Sequence, residues 1–302
     1  MSEGPVVVLG DVMSDISARL TVPPVPASDT PARIEMRPGG GGANVAAWLA
    51  RLGAPVVLIG CVGDDDAGRT AARSLAASGV TVRLVVDPGP TGAVVLIVGP
   101  DGERTMLSDA GANARLTAGD LPRDAFRPGA RLHLSGYALL RAGSRAAGLA
   151  ALAAARDAGM PASVDPSSAA PLAAVGGPAF LEMVRAAGSI IATRAEAEVL
   201  TGTRDPEAAA SRLVEGRDEV VLKLGDAGAL WRGADGGSAR VPAAAPAAPV
   251  VDSTGAGDAF AAAWLARRRE GDDPAAALAA ACVLASEVVT RPGAGPPASP
   301  AA

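Results

Sequence analysis

The sequence predicts an α/β fold: a mostly parallel central sheet with helices on both faces, plus a small separate β-sheet. Three observations predict it. Short apolar, β-branched runs alternate with runs of helical period along most of the chain. Two stretches break that rhythm with extended segments that do not fit a parallel sheet. A glycine-rich turn opens a helical run twice, near residue 40 and near residue 255. At 302 residues the chain is long enough to bury a substantial core, and no internal repeat or linker divides it, so residues 1–302 are expected to form one domain.

The first strand is Val6–Leu9. Its apolar run is too short, and lacks the basic flank, for a secretory signal. Further buried strands are expected at 56–59, 131–134, 162–164, 189–192 and 220–224, with helices at 43–52, 67–78, 144–158 and 206–214 between them. Two last helices, 255–269 and 274–290, are joined by the polar turn Gly271-Asp-Asp273. The tail beyond Gly293 is rich in Pro, Gly and Ala and is expected to be irregular. The two rhythm-breaking stretches are about 16–37, with several prolines, and 91–108, a hairpin of 92–98 and 104–107 around the turn Gly99-Pro-Asp-Gly102. They are expected to form the separate sheet; an edge hairpin of the main sheet is the alternative.

Composition narrows the function. The net charge of −5 and the lack of a basic stripe argue against nucleic acid as a partner. No apolar stretch approaches the length of a membrane span. Cys61 and Cys282 have neither disulfide-framework nor metal-ligand spacing, so a reducing, cytoplasmic setting is expected. Lys223 is the only lysine.

The segment carrying most chemistry is Asp252-Ser-Thr-Gly-Ala-Gly-Asp-Ala-Phe260. Gly255, Ala256 and Gly257 precede a carboxylate, Asp258, at the start of an apolar helical run. Unpaired N–H groups at a helix start attract an anion, and small residues let a phosphate approach the backbone. A carboxylate there can receive the proton of a hydroxyl, and the helix start favours its ionised form, making it a weak base. The plainer alternative is a tight turn with a helix-start charge. Upstream, Gly39-Gly-Gly-Gly-Ala-Asn44 opens another helix. Asp11 and Asp15 follow the first strand, where ligands of open α/β sheets bind. Each could accept hydrogen bonds from sugar hydroxyls, or serve as a turn or cap aspartate. Asn44 could contact a sugar hydroxyl or cap its helix. His133, the only histidine, lies in an apolar strand and reads as structural. A dinucleotide G-x-G-x-x-G and a phosphate-binding G-x-x-x-x-G-K-[ST] are both missing.

The two glycine-rich segments, in this order and at this separation, resemble the two signatures of the PfkB, or ribokinase-like, family of carbohydrate kinases. The resemblance spans nearly the full chain, including Ala110-Gly-Ala-Asn-Ala114. It implies a ribokinase-like three-layer sandwich with a β-sheet lid. It also implies ATP and Mg²⁺ as cofactors and phosphoryl transfer to a primary hydroxyl. Asp258 would be the base, with Gly255, Ala256 and Gly257 as the anion hole. Asp15, Asp11, Gly40, Gly41 and Asn44 would bind the acceptor. Thr193, Glu196, Lys223, Gly225, Asp226 and Gly228 would bind ATP, Glu196 holding Mg²⁺ through water; a solvated helix carboxylate is the alternative for Glu196 and a surface lysine for Lys223. Asp252, Thr254, Arg291 and Gly293 match positions around a monovalent-cation site, where K⁺ would sit. Family lids often pair, which leaves a homodimer open.

The departures are informative. Gly41 replaces the lysine of ribokinases, favouring an unphosphorylated acceptor. Thr193 replaces the Asn of the family's Asn-x-x-Glu motif, which puts metal positioning in doubt. The glutamate of ribokinases is missing near Ser135, and no arginine stands near Asp165 as a sugar-acid kinase would need. The lid segments carry no aromatic residue on which a nucleobase could stack. A small neutral sugar is therefore the expected acceptor, with a nucleoside such as pseudouridine, or a catalytically silent sugar or nucleotide sensor, as alternatives.

Overall fold

The computed structural model describes residues 4–101 and 103–297; the readings for residues 1–3 and Gly102 and for the end of the tail lie outside them. In chain order the elements are β1 (Val6–Leu9), β2 (Met13–Leu20), β3 (Ala32–Gly39), α1 (Gly41–Arg51), β4 (Val56–Gly63), α2 (Asp66–Ala77), β5 (Thr81–Asp87), β6 (Gly92–Val98) and β7 (Arg104–Asp109). There follow β8 (Arg131–Ser135), α3 (Tyr137–Leu140), α4 (Arg145–Asp157), β9 (Ala162–Asp165), α5 (Ala169–Val175), α6 (Gly177–Met183), β10 (Ser189–Thr193), α7 (Arg194–Thr201) and α8 (Pro206–Leu213). The chain closes with β11 (Glu219–Lys223), β12 (Ala229–Gly233), β13 (Ser238–Val241), α9 (Ala256–Arg269) and α10 (Pro274–Val288).

Nine strands form the main sheet in the order β13-β12-β11-β10-β9-β8-β1-β4-β5. From β11 to β5 every neighbour pair is parallel; β12 and β13 are antiparallel additions at one edge. The four residues of β1 show how the layers arise. Val7 and Leu9 pack into a core with residues of α3 to α8, such as Leu139, Leu152, Phe180 and Leu213. Val6 and Val8 point the other way, into a core with α1, α2, α9 and α10, including Trp48 and the fully buried Trp264. Alternation along a strand covered on both faces gives two cores and three layers.

The two rhythm-breaking stretches pair with each other. They make a four-stranded sheet in the order β3-β2-β6-β7, and the edge-hairpin alternative is set aside. Its strands start earlier and end later than the sequence suggests, at Met13 and Gly39. Register puts Asp15 beside Arg37 and Val94, and Ser17 beside Glu35 and Leu96, on one face. Ile34, Met36 and Leu107 occupy the opposite face and are all more than half exposed.

The sheet is rooted by side chains. Asn113 accepts from the Val12 N–H and donates to the Val12 and Ala110 carbonyls. Asp65, the N-cap of α2, takes hydrogen bonds from both N–H and hydroxyl of Thr91, just before β6. Strand order reverses between β1 and β8, because the chain first winds out through β4 and β5 and then returns to the other side of β1. The crevice beyond the strand ends at such a reversal is where ligands of this architecture bind.

Candidate active site

A cavity of about 860 Å³ opens at that reversal, between the carboxyl ends of the main-sheet strands and the inner face of the small sheet. Its back wall is the start of α9. Gly255 caps that helix in the left-handed region (φ 79°), and a β-carbon there would overlap Ala294, so only glycine fits. The Ala256 N–H turns back to the Ser253 carbonyl at 3.3 Å, which leaves the following N–H groups of the first turn to face the cavity. Asp258 sits in that turn.

A second helix start meets it. α1 begins after Gly40, whose φ of 98° and close approach to the Asp11 carbonyl again exclude a side chain. The N-cap is thus Gly40, and Asn44 does not cap: its Nδ2 donates to Asp258 Oδ2 at 2.8 Å. The other carboxylate oxygen, Oδ1, faces Gly41. The expected preference of the helix start for ionised Asp258 is outweighed by burial. Burial pushes its pKa up to about 7, against the Asn44 hydrogen bond, with Asp165 adding to the rise and Lys223 opposing it.

Lys223, at the end of β11, is not a surface lysine. Its side chain is 11 % exposed and its Nζ meets Asp165 Oδ2 at 2.5 Å. A β-carbon on Gly257 would stand 3.5 Å from that Nζ, so the ammonium lies against the α9 turn. Burial works against its charge, but Asp165 and then Glu196 outweigh it and its pKa rises.

Glu196 is likewise buried and not solvated. It forms a reciprocal cap with Thr193 at the start of α7: its Oε2 accepts from the Thr193 N–H at 2.7 Å, and its own N–H donates to Thr193 Oγ1 at 3.3 Å. Burial raises its pKa, with Asp165 reinforcing and Lys223 opposing. A hydrated Mg²⁺ needs only one or two carboxylates. Glu196, with Asp165 beside it, fits that requirement. Among the described residues no His, Cys, Asp and Glu cluster forms an all-protein metal cage.

Asp15, in β2, lies against Gly39; burial, and then the Asp252 charge, push its pKa up to about 6. Asp11 is buried in an ion pair: Arg141 Nη1 stands 2.9 Å from Oδ1 and 2.8 Å from Oδ2. Burial raises the Asp11 pKa and Arg141 opposes it. Asp252 accepts from the N–H and hydroxyl of Thr254 and from the Gly293 N–H, tying the two loops behind the α9 turn. Arg291 stacks on Trp48, 4.9 Å from the ring centre. A monovalent cation there would therefore depend on backbone carbonyls. Gly225, Asp226 and Gly228 form the tight turn between β11 and β12, outside the cavity lining. His133 bonds Ser163 Oγ at 2.9 Å, and burial pushes its pKa down to about 4, so it stays neutral.

The cavity holds four residues that sequence reasoning did not assign. Arg141 and Tyr137 stack at 4.6 Å. Asp165 anchors Lys223, and Ser167 pairs its hydroxyl with that of Ser135 at 3.1 Å. Ser167 has φ 73°, a strained value for serine, held by an N–H bond to Asp165. The rule that ligands sit beyond strand ends could have found Ser135, Asp165 and Ser167. For Arg141, past the short α3, the sequence carries no signal.

A model of the pfkB family of carbohydrate kinases matches residues 5–302. Curated protein sequences give no match. Solved structures do. An adenosine kinase from Sinorhizobium meliloti is 25 % identical over 98 % of this chain and 96 % of its own, with a TM-score of 0.86. A provisionally named ribokinase II from E. coli, in complex with ATP and Mg²⁺, is 25 % identical over 96 % of this chain and 94 % of its own (TM-score 0.84). A ribokinase from Arabidopsis thaliana complexed with ribose and ATP is 25 % identical over 97 % and 95 % (TM-score 0.79).

Proposed function

The chain belongs to the pfkB family and is an ATP-dependent kinase; from that premise we propose that it phosphorylates a primary hydroxyl of a small neutral sugar, with Asp258 as the base. The observation that carries the proposal is the meeting of the α1 and α9 starts. Asn44 holds one oxygen of Asp258 and leaves Oδ1 toward Gly41, where an acceptor hydroxyl can lie. When bound, Mg·ATP supplies the γ-phosphoryl group. Asp258 orients the hydroxyl and takes its proton as the oxygen attacks, and a pKa of about 7 suits a base working near neutrality. The N–H groups of Gly255 and Gly257, joined by that of Asp258 and by the Lys223 ammonium against the same turn, would meet the charge on the transferring group. Glu196 and Asp165 would hold the hydrated Mg²⁺, and Lys223 would neutralise donor phosphate.

Asp15 and Asp11 would bind acceptor hydroxyls, and Gly41 in place of a cation supports an uncharged acceptor. The Thr193 cap keeps Glu196 in place without the family Asn, which favours a working kinase over a silent sensor. A nucleoside acceptor stands as second reading, supported by the flat Arg141–Tyr137 stack on the cavity floor. The two free, buried cysteines support a cytoplasmic setting.

ADP release from Mg·ATP, measured across neutral sugars, sugar acids, sugar phosphates and nucleosides with Asp258→Asn as control, tests the proposal. One neutral acceptor should give turnover that falls at least ~10³-fold in the variant, within the range for loss of a general base. Turnover retained in Asp258→Asn would remove Asp258 from its role.

A further inference from the structure

Beyond the two glycine turns, the cavity is lined by charged side chains that no sequence pattern assigns, Arg141 and Asp165 among them. Arg141 spends a single nitrogen, Nη1, on both oxygens of Asp11. Its Nε and Nη2 donate to no acceptor among the described residues. The side chain is 18 % exposed and lines the cavity, so those donors face the space a ligand would fill. The Tyr137 ring under the guanidinium fixes its plane. Asp11, 7 % exposed, retains lone pairs on both oxygens beyond those Nη1 occupies.

We infer that Arg141 is a specificity-determining residue, which with Asp11 reads a neutral edge of the acceptor that presents an oxygen beside an N–H or O–H. The inference rests on reading this cavity as the acceptor site. Charge argues for the neutral edge. The pair is a cation and an anion in contact, so a carboxylate or phosphate drawn to Arg141 is repelled by Asp11. An oxygen with an adjacent donor hydrogen satisfies both groups at once: guanidinium donates to the oxygen, carboxylate accepts the hydrogen. Two neutral ligands carry such an edge, the carbonyl and N–H of a pyrimidine base and the paired hydroxyls of a sugar. Either way the recognised edge is separate from the hydroxyl that Asp258 activates. An analogue lacking the edge would fill the space in front of Arg141 Nε and Nη2 without giving them an acceptor, which is a basis for rejection.

The test is steady-state kinetics and calorimetric binding on the full chain, with ribose, fructose, uridine, pseudouridine, gluconate and ribose 5-phosphate as probes. Arg141→Gln should raise the KM or Kd of the preferred neutral probe at least 30-fold while the KM for ATP moves less than threefold. Arg141→Lys, which keeps the charge beside Asp11 and hence the fold, should restore only part of that loss, because an ammonium cannot reproduce the planar fork. The double variant Asp11→Asn with Arg141→Gln, neutral throughout, guards against a loss that merely reflects an unpaired buried carboxylate; it should stay folded and remain weak for the same probe. Preference for uridine or pseudouridine assigns the edge to a base, and preference for ribose or fructose to a diol. If probes bind but none is turned over, the acceptor reading alone fails, and their Kd in the variants still decides the role of Arg141. Unchanged affinity in Arg141→Gln, or tightest binding of gluconate or ribose 5-phosphate, overturns the inference, as does the failure of every probe to bind the wild-type protein.

Discussion

Asp258 is set by two opposed influences whose balance is measurable. Burial raises its pKa from 3.8 to about 7, and the Asn44 hydrogen bond restrains the rise. The base must be ionised to accept a proton, so kcat/KM should climb as pH passes through about 7 and level off above it. Asn44→Ala removes a group that stabilises the ionised form, so its acidic limb should move to higher pH; a pH–rate profile of both proteins checks this. Stability follows the reverse sign. The folded protein holds this proton where the unfolded chain has lost it, so between pH 3.8 and 7 the contribution of Asp258 to stability declines as pH rises. Asp258→Asn should therefore melt higher than wild type at pH 8 and at nearly the same temperature at pH 4, by calorimetry. At this scale the sequence marks Asp258 and the small residues before it, because a helix start and a carboxylate are local facts. It leaves Arg141 unmarked, because the partner that gives Arg141 meaning, Asp11, lies 130 residues away.

Among the elements, α7 shows how a departure from a family pattern can be repaired by local physics. Threonine in place of asparagine still caps the helix, and Glu196 returns the bond. Thr193→Ala should cost about 1 kcal/mol in chemical denaturation, the usual worth of an N-cap. It should also raise the KM for ATP, since Glu196 loses one of the bonds that aim it. Thr193→Asn should recover both. The long parallel strands and their helices were legible because burial on both faces writes continuous apolar runs. β5 and β13 were not, since as edge strands they bury no residue fully, and β12, next to one edge, has only a short apolar run before two half-buried positions. α5 and α6 are seven residues each, with Pro171 and Pro178 inside them, too short and too interrupted to show a period.

At the scale of the whole molecule, two sheets meet over one cavity, and the smaller one has an unbalanced exterior. Its inner face turns Asp15, Ser17, Glu35 and Arg37 to the cavity, while Ile34, Met36 and Leu107 on the other side lie open. A second copy of the chain is the expected cover for that apolar face. Light scattering after size exclusion should give about twice 29.6 kDa, and Ile34→Lys with Met36→Lys should return the mass to that of one chain. The rhythm of the sequence marked out the strands of the small sheet; it could not show which of their alternating faces would look inward, because that depends on register across strands far apart in the chain.

Lys223 has a further consequence. With one lysine in 302 residues, and that one buried beside Asp165, the exterior displays no side-chain amine; its positive charge is carried by arginine. Reagents that decorate most proteins at many lysines have a single lysine target here, inside the working cavity. Its raised pKa keeps that amine protonated against Asp165 and a poor nucleophile, so acylation there should be slow, and slower still with nucleotide in the cavity.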